Sequence, residues 1–202
     1  MTSQLASETS IERTNTKERS QSIRTLTLAF CADPVLRYCY PDPRQYLEHF
    51  PAFVEAFGGK SFDMGRAFHD GDFLGAALWL PPDTYPDDEV VYRHFERTVE
   101  LRKVKTIFSV LDRMGAAHPS EPHWYLTLIG VDIAHQGQGL GSLLLHSMLN
   151  EIDRQERLTY LESTNPVNLN LYKRFGFRQT GIIESGDAPP LFTMIREPKR
   201  IH

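Results

Sequence analysis

The chain has only two cysteines in 202 residues, Cys31 and Cys39, and no Cys or His pattern surrounds them. Their spacing fits neither a zinc site nor a redox CxxC pair, so both read as isolated buried thiols. The eight histidines are scattered without an HExxH or HxH pair, and no metal is implied. Positive charge is not in surplus either. The formal net charge is −4 and the sequence pI is near 6.1, whereas a polyanion binder needs an excess of Lys and Arg; nucleic acid is set aside as a partner. Long apolar runs are missing. FLGAALWL, Phe73 to Leu80, is far too short to span a bilayer, and MTSQLASETSIERTNTKERS at the start carries no apolar h-region. The expectation is a cytoplasmic protein with no membrane partner.

With 41% hydrophobic and 24% charged residues, a chain of this length predicts one soluble domain with a real core. Residues 1–9 read as a loose N-terminus and 10–202 as the domain. A short strand is expected over Ser10 to Thr14, then a helix capped by Thr16 and running to about Phe30. A second helix, Arg44 to Phe57, is expected to stop at Gly58-Gly59. Ala67 to Asp70 and Phe73 to Leu80 form a predicted hairpin around Asp70-Gly71, with Pro81-Pro82 ending its second strand. Asp87-Asp88-Glu89 open a helix at its positive end, and another covers Val104 to Met114. Trp124 to Val131 is strand-like, followed by a helix from Leu140 to Gln155, a strand from Leu158 to Glu162, and a short helix from Asn168 to Phe175 stopped by Gly176. Arg178 to Ile183 and Phe192 to Ile195 are the final strands. The compact strand–helix–strand unit predicts a parallel pair in an otherwise mixed sheet, an α/β or α+β fold. An exposed strand edge near the C-terminus would allow a homodimer beside the monomer.

The stretch VDIAHQGQGLGS, Val131 to Ser142, puts three glycines at alternate positions between a strand and a helix start. Glycine costs backbone entropy, and the first N–H groups of a helix are unpaired, so this arrangement suits a phosphate cradle. A dinucleotide fingerprint fits poorly: Glu162 is roughly where the ribose acid would be, but Ser142 stands in the third glycine position. A GxxxxGK[ST] loop is excluded, since no lysine lies between Val131 and Leu171.

Gln136-Gly137-Gln138-Gly139-Leu140-Gly141 resembles the Q/R-x-x-G-x-G/A pyrophosphate signature of the GNAT acyltransferase superfamily. A second block, Asn165-Pro-Val-Asn168-Leu-Asn-Leu-Tyr172-Lys-Arg-Phe-Gly176-Phe177, resembles that family's N-x-x-N/A-x-x-x-Y-x-x-x-G-F helix. EPHWYLTLIGVDIAHQGQGLGS and YLESTNPVNLNLYKRFGF are further similar to puromycin N-acetyltransferase and its relatives. The strong part spans roughly Glu121 to Phe177.

The resemblance implies a single-domain GNAT fold, a mixed central sheet with helices on both faces and a splayed parallel strand pair holding coenzyme A. It implies acetyl-CoA as co-substrate, no metal, and transfer of acetyl to a primary amine of a small molecule by direct attack in a ternary complex. Gln136, Gly137, Gln138, Gly139, Leu140, Gly141 and Ser142 would take the pyrophosphate through backbone N–H groups. Ile129, Gly130 and Val131 would bind the acetyl group, with a bulge at Gly130 freeing an N–H toward the thioester oxygen; the other reading of Gly130 is close packing against a bulky neighbour. Tyr172 falls at the general-acid position, with a plain core tyrosine as the alternative. Asn168 would bond the pantetheine arm or cap the helix. Glu162 is the base candidate, against a structural carboxylate or a water relay, while Asp132 reads as a turn residue. Aromatic walls for the acceptor are expected from Phe30 to Asp42, with Asp33 and Arg37, and from Trp79 and Trp124. A protein or peptide acetyltransferase and a non-catalytic acetyl-CoA sensor remain as alternative functions.

Overall fold

The computed structural model describes residues 10–199, so the loose N-terminus expected over residues 1–9 lies outside the described residues. Seven strands form one mixed sheet in the order β1-β2-β3-β4-β5-β7-β6. They are β1 Ile11–Arg13, β2 Ala67–Asp70, β3 Gly75–Leu80, β4 His123–Val131, β5 Leu158–Ser163, β6 Arg178–Ile183 and β7 Leu191–Arg196. The β4–β5 pair is parallel and every other neighbouring pair is antiparallel.

Period-2 alternation along β3 sorts its side chains between two cores. Ala76, Leu78 and Leu80 face a layer built by α1 (Arg19–Ala29), α2 (Pro34–Cys39), α3 (Pro43–Gly58), α5 (Asp88–Thr98) and α6 (Leu101–Ala117). Ala77 and Trp79 face the layer of α7 (Leu140–Arg154) and α8 (Leu169–Arg174). Local chemistry starts these helices. Asp87 accepts from Val90 N–H at 3.2 Å, and Asp88 and Glu89 occupy the first turn of α5, where the helix dipole favours acid.

The structure moves several boundaries. The N-cap of α1 is Glu18, with no side-chain cap; Asn15 Oδ1 organises the turn before it, accepting from Lys17 N–H at 2.9 Å, and Thr16 does not cap the helix. Gly58-Gly59 does not stop the second long helix. Gly59 keeps right-handed helical angles and the chain runs on into α4 (Lys60–Asp63); Gly58 is there because a Cβ would sit 2.6 Å from Leu78 Cδ1. The turn after Asp70 is longer than a two-residue hairpin. Asp70 accepts from Gly75 N–H at 2.6 Å, and Phe73, at φ 56, belongs to the loop rather than to β3. The short α2 and α4 carry too few residues for a readable period.

Candidate active site

The β4–β5 pair holds only over His123 to Tyr125 and Leu158 to Tyr160; beyond that the strands diverge. A bulge opens them. Leu78 pairs with Leu128 and Trp79 with Leu126, leaving Thr127 as the extra residue, and its Oγ1 donates to Leu78 O at 3.0 Å. Side-chain facing slips at the same place: Tyr125 and Leu128 belong to one core, Leu126 and Ile129 to the other. The bulge expected at Gly130 is therefore three residues earlier, and Gly130 pairs regularly with Ala76. Gly130 serves close packing, since a Cβ there would meet Ala29 Cβ at 2.6 Å and Phe30 Cε2 at 3.1 Å. Asp132 N–H donates to Leu74 O at 2.7 Å. By the alternation of an antiparallel ladder, the Gly130 groups then face β3, and those of Ile129 and Val131 face the splay.

The glycine turn closes the splay from one end. Gln136 Nε2 donates to Val131 O at 3.1 Å, tying turn to strand, and Asp132 caps the small turn Ile133–His135 by accepting from Ala134 N–H at 2.9 Å. Gly137 at φ 77 and Gly139 at φ 92 occupy left-handed backbone that only glycine takes cheaply. Gly139 is the N-cap of α7, no side chain caps that helix, and its first turn holds no acid. Its positive end stays available to an anion.

Two cavities meet in the splay. The donor groove is lined by the strand end, by the turn except Gln138, and by Asn168 and Tyr172 of the second block. It also holds His135 and Arg174, which the sequence reading did not single out; His135 Nδ1 is a buried nitrogen without a partner among the described residues. An uncapped helix start, an orphaned nitrogen and a guanidinium fit a phosphate-bearing ligand. The second cavity, about 100 Å³, is lined by Phe53, Phe57, Phe95, Ile107, Leu111 and Met114 and by Glu162. Phe30, Ile129, Asn168 and Tyr172 line both.

Tyr172 is buried, and burial raises its phenol above the ordinary value, so it stays protonated near neutrality. Glu162 is held by Tyr125 OH at 2.8 Å, with its side chain 2% exposed. Burial pushes its carboxyl up to about 7, against the opposing hydrogen bond from Tyr125. Asn168 makes no capping bond; Asn165 caps that segment by accepting from Val167 N–H at 3.1 Å.

The expected acceptor wall is corrected in part. Phe30, Tyr38 and Cys39 do line the second cavity. Trp79 and Trp124 lie in the core on the other face of the sheet, where Trp124 Nε1 donates to Gln155 at 2.9 Å; strand alternation decides that, and it cannot be read without knowing which face holds the site. Asp33 is spent as the α2 cap, accepting from Val35 and Leu36 N–H at 3.0 and 3.1 Å, and Arg37 donates to Pro41 O. Both thiols are free, and burial pushes Cys39 up to about 12. Among the described residues no group of three or more His, Cys, Asp or Glu could hold a metal, and no helix is long and apolar enough to cross a membrane.

Known proteins agree with this geometry. An uncharacterised N-acetyltransferase of Schizosaccharomyces pombe is 27% identical over 205 residues, covering 93% of this chain and 83% of its own length. A solved structure described as histone acetyltransferase HPA2 and related acetyltransferase, from Corynebacterium glutamicum, superposes with a TM-score of 0.64 at 23% identity, covering 96% of this chain and 98% of that one. Arylalkylamine N-acetyltransferase 2 of Aedes aegypti gives 0.66 at 15% identity, over 95% and 100%. The acetyltransferase (GNAT) family profile matches residues 25–177, from inside α1 through both glycine-bearing blocks to Phe177. Splayed strands, an uncapped glycine turn and this match lead to one assignment: the chain is an N-acetyltransferase of the GNAT family, which uses acetyl-CoA.

Proposed function

We propose that this enzyme moves acetyl from acetyl-CoA to the primary amine of a small, largely apolar molecule in the cytoplasm, by direct attack in a ternary complex. One observation carries the reading: the donor groove and the second cavity meet at Tyr172, and Glu162 lies on the cavity side only. Acetyl-CoA supplies the activated acyl group. The Gln136 to Ser142 turn, Gln138 included, offers backbone N–H groups to its pyrophosphate, with the α7 dipole behind them. Ile129 and Val131 direct N–H groups into the splay, where a carbonyl oxygen gaining charge needs donors; Gly130 contributes by letting α1 approach. Asn168, free of capping duty, is available to the pantetheine arm. Glu162 takes the amine proton, and Tyr172 gives one to the leaving sulfur.

Cavity size and lining favour a small acceptor over a peptide. A cavity of about 100 Å³ compares with the roughly 150 Å³ that accommodates benzene. Glu162 is the lone acid in its lining, whereas a basic tail needs an open acidic groove. A sensor without turnover would not require an acid at the junction and a base on its cavity side. β6, with Ile182 exposed, leaves a sheet edge where a second copy could add, so monomer and homodimer both fit.

Thiol release from acetyl-CoA against an amine panel (alkyl- and arylalkylamines, polyamines, puromycin, aminoglycosides, a lysine-rich peptide) tests the reading. Turnover is expected on the apolar monoamines, and Tyr172→Phe should lower kcat at least tenfold, in line with the roughly 10²–10⁴ contributed by general acid–base groups. Preference for the peptide would overturn it. Gly139→Ala forces a side chain into left-handed backbone at a cost of about 1–2 kcal/mol. Acetyl-CoA should then bind about tenfold more weakly by calorimetry; an unchanged Kd would remove the turn from the donor site.

A further inference from the structure

Glu162 lines the acceptor cavity with its side chain almost fully buried, so a proton it takes from the amine needs an exit that avoids the bound substrates. Its Oε2 accepts from Tyr125 at 2.8 Å, while Oε1 is buried with no partner at ordinary hydrogen-bond geometry among the described residues, the Tyr160 hydroxyl lying near enough to the carboxyl to pull it down somewhat. His118 Nε2 lies 3.7 Å from that oxygen. The ring is there because Pro119 turns His118 out of α6 into extended backbone at φ −60, ψ 142.

The hydrogen-bond chain behind His118 fixes its tautomer. Glu121 O, a carbonyl, can only accept, so His123 Nδ1 at 2.7 Å carries a proton. Neutral His123 then has its lone pair on Nε2, which accepts from His118 Nδ1 at 2.9 Å. Neutral His118 therefore bears its proton on Nδ1 and turns the Nε2 lone pair toward Glu162 Oε1. Two lone pairs facing each other repel, and one proton between them makes a bonding pair. The arrangement is complementary to a Glu162 that has just received a proton.

We infer that His118 is a positioning residue that takes the proton from Glu162 and passes it to water in a third groove, separate from both substrates. This rests on the transferase reading above. The amine N–H bond breaks as the Glu162 O–H bond forms; that bond breaks as His118 Nε2–H forms, and the imidazolium, its Nδ1–H kept on His123, loses the Nε2 proton to groove water as the ring swings away from Glu162. His118 lines the third groove beside Tyr85, with Asp88 and Asp112 on its acidic rim. That groove shares no lining residue with the donor groove, and it shares Phe57, Leu111, Met114 and Tyr125 with the acceptor cavity, while Glu162 lines the cavity alone.

The groups packed on His118 leave the route to these two side chains. The rings of Tyr160, Tyr125 and Tyr85 surround it at 4.5, 4.7 and 5.6 Å. Burial drives the Tyr125 and Tyr160 phenols well above the ordinary value. Burial, then His123, holds His118 itself down at about 4. A proton on His118 is in transit and moves on to solvent.

The test is His118→Gln, which keeps a polar side chain and cannot carry a proton, beside His118→Ala with added imidazole. Expected are a kcat lowered about tenfold or more, an unchanged KM for acetyl-CoA, an unchanged melting temperature for the Gln variant, and rescue of the Ala variant that grows with imidazole concentration. Nitrogen NMR of the resting protein should find the His118 proton on Nδ1. An unchanged kcat, a loss that imidazole does not restore, or a proton on Nε2 would each overturn the relay while leaving the transferase in place. Failure of the wild-type chain to acetylate any amine would overturn the transferase reading itself, whatever tautomer the NMR shows.

Discussion

Replacing Glu162 with Gln should leave acetyl-CoA binding intact, slow acetyl transfer by about two to four orders of magnitude, and make the protein more stable above neutral pH. The rate loss follows because an amide lining the cavity cannot take the amine proton. The stability gain has a separate origin. The Glu162 carboxyl is raised from 4.5 to about 7 by burial, so the folded state prefers it protonated. Its stability contribution is fully present below the unfolded value near 4.5 and is lost as pH rises through about 7. The rise corresponds to an energy on the order of 3 kcal/mol. Gln removes that cost and satisfies both neighbours, its carbonyl accepting from Tyr125 and its amide donating to the His118 Nε2 lone pair. Urea unfolding at pH 5 and pH 8 checks this: the variant's advantage should grow between the two. Equal differences at both pH values would mean that the Glu162 carboxyl is not raised in the folded protein above its unfolded value, and an unaltered rate would take it out of the chemistry.

The sequence is informative where a backbone requirement and a residue type coincide. Gly137 and Gly139 adopt positive φ in the turn whose composition signalled an anion cradle; the two blocks that resemble the family bracket the donor groove. The alternation along β3 and the acids that open α5 are equally local signals. Thr127 is different, because threonine is an ordinary strand former and its extra-residue status exists only relative to the β3 register. Gly130 attracted the bulge reading for a sound general reason, yet a glycine excluded by a neighbouring helix looks the same in one dimension. His118 and Glu162 are 44 positions apart, and the tie between them passes through the end of α6 and a proline. No periodicity reports such a contact. The acceptor wall is illegible for a similar reason: aromatic content marks both cores equally, and only topology assigns Trp79 and Trp124 to the far one.

The largest expected stability effect lies away from the chemistry, at Arg196→Leu. Arg196 Nη1 and Nη2 each donate to Asp153 at 2.7 Å, and the two side chains are 3% and 8% exposed. Lys199 N–H adds a bond to Asp153 at 2.8 Å. Burial alone would raise the Asp153 carboxyl; the guanidinium and this N–H override it and hold it below the usual range. Removing one partner strands a buried charge, which typically costs about 3–5 kcal/mol, a large share of the roughly 5–15 kcal/mol that holds a domain folded. Chemical denaturation should show that loss, and Asp153→Leu combined with Arg196→Leu should recover most of it; a double variant no better than the single one would place the cost in packing instead. The pair also reaches the site. Arg196 Nε donates to Phe175 O at 2.8 Å, holding the last turn of α8 three residues after Tyr172. In the Arg196→Leu protein kcat should therefore fall while the Kd for acetyl-CoA changes little, because the glycine turn that holds the pyrophosphate is built on α7 and does not depend on that bond.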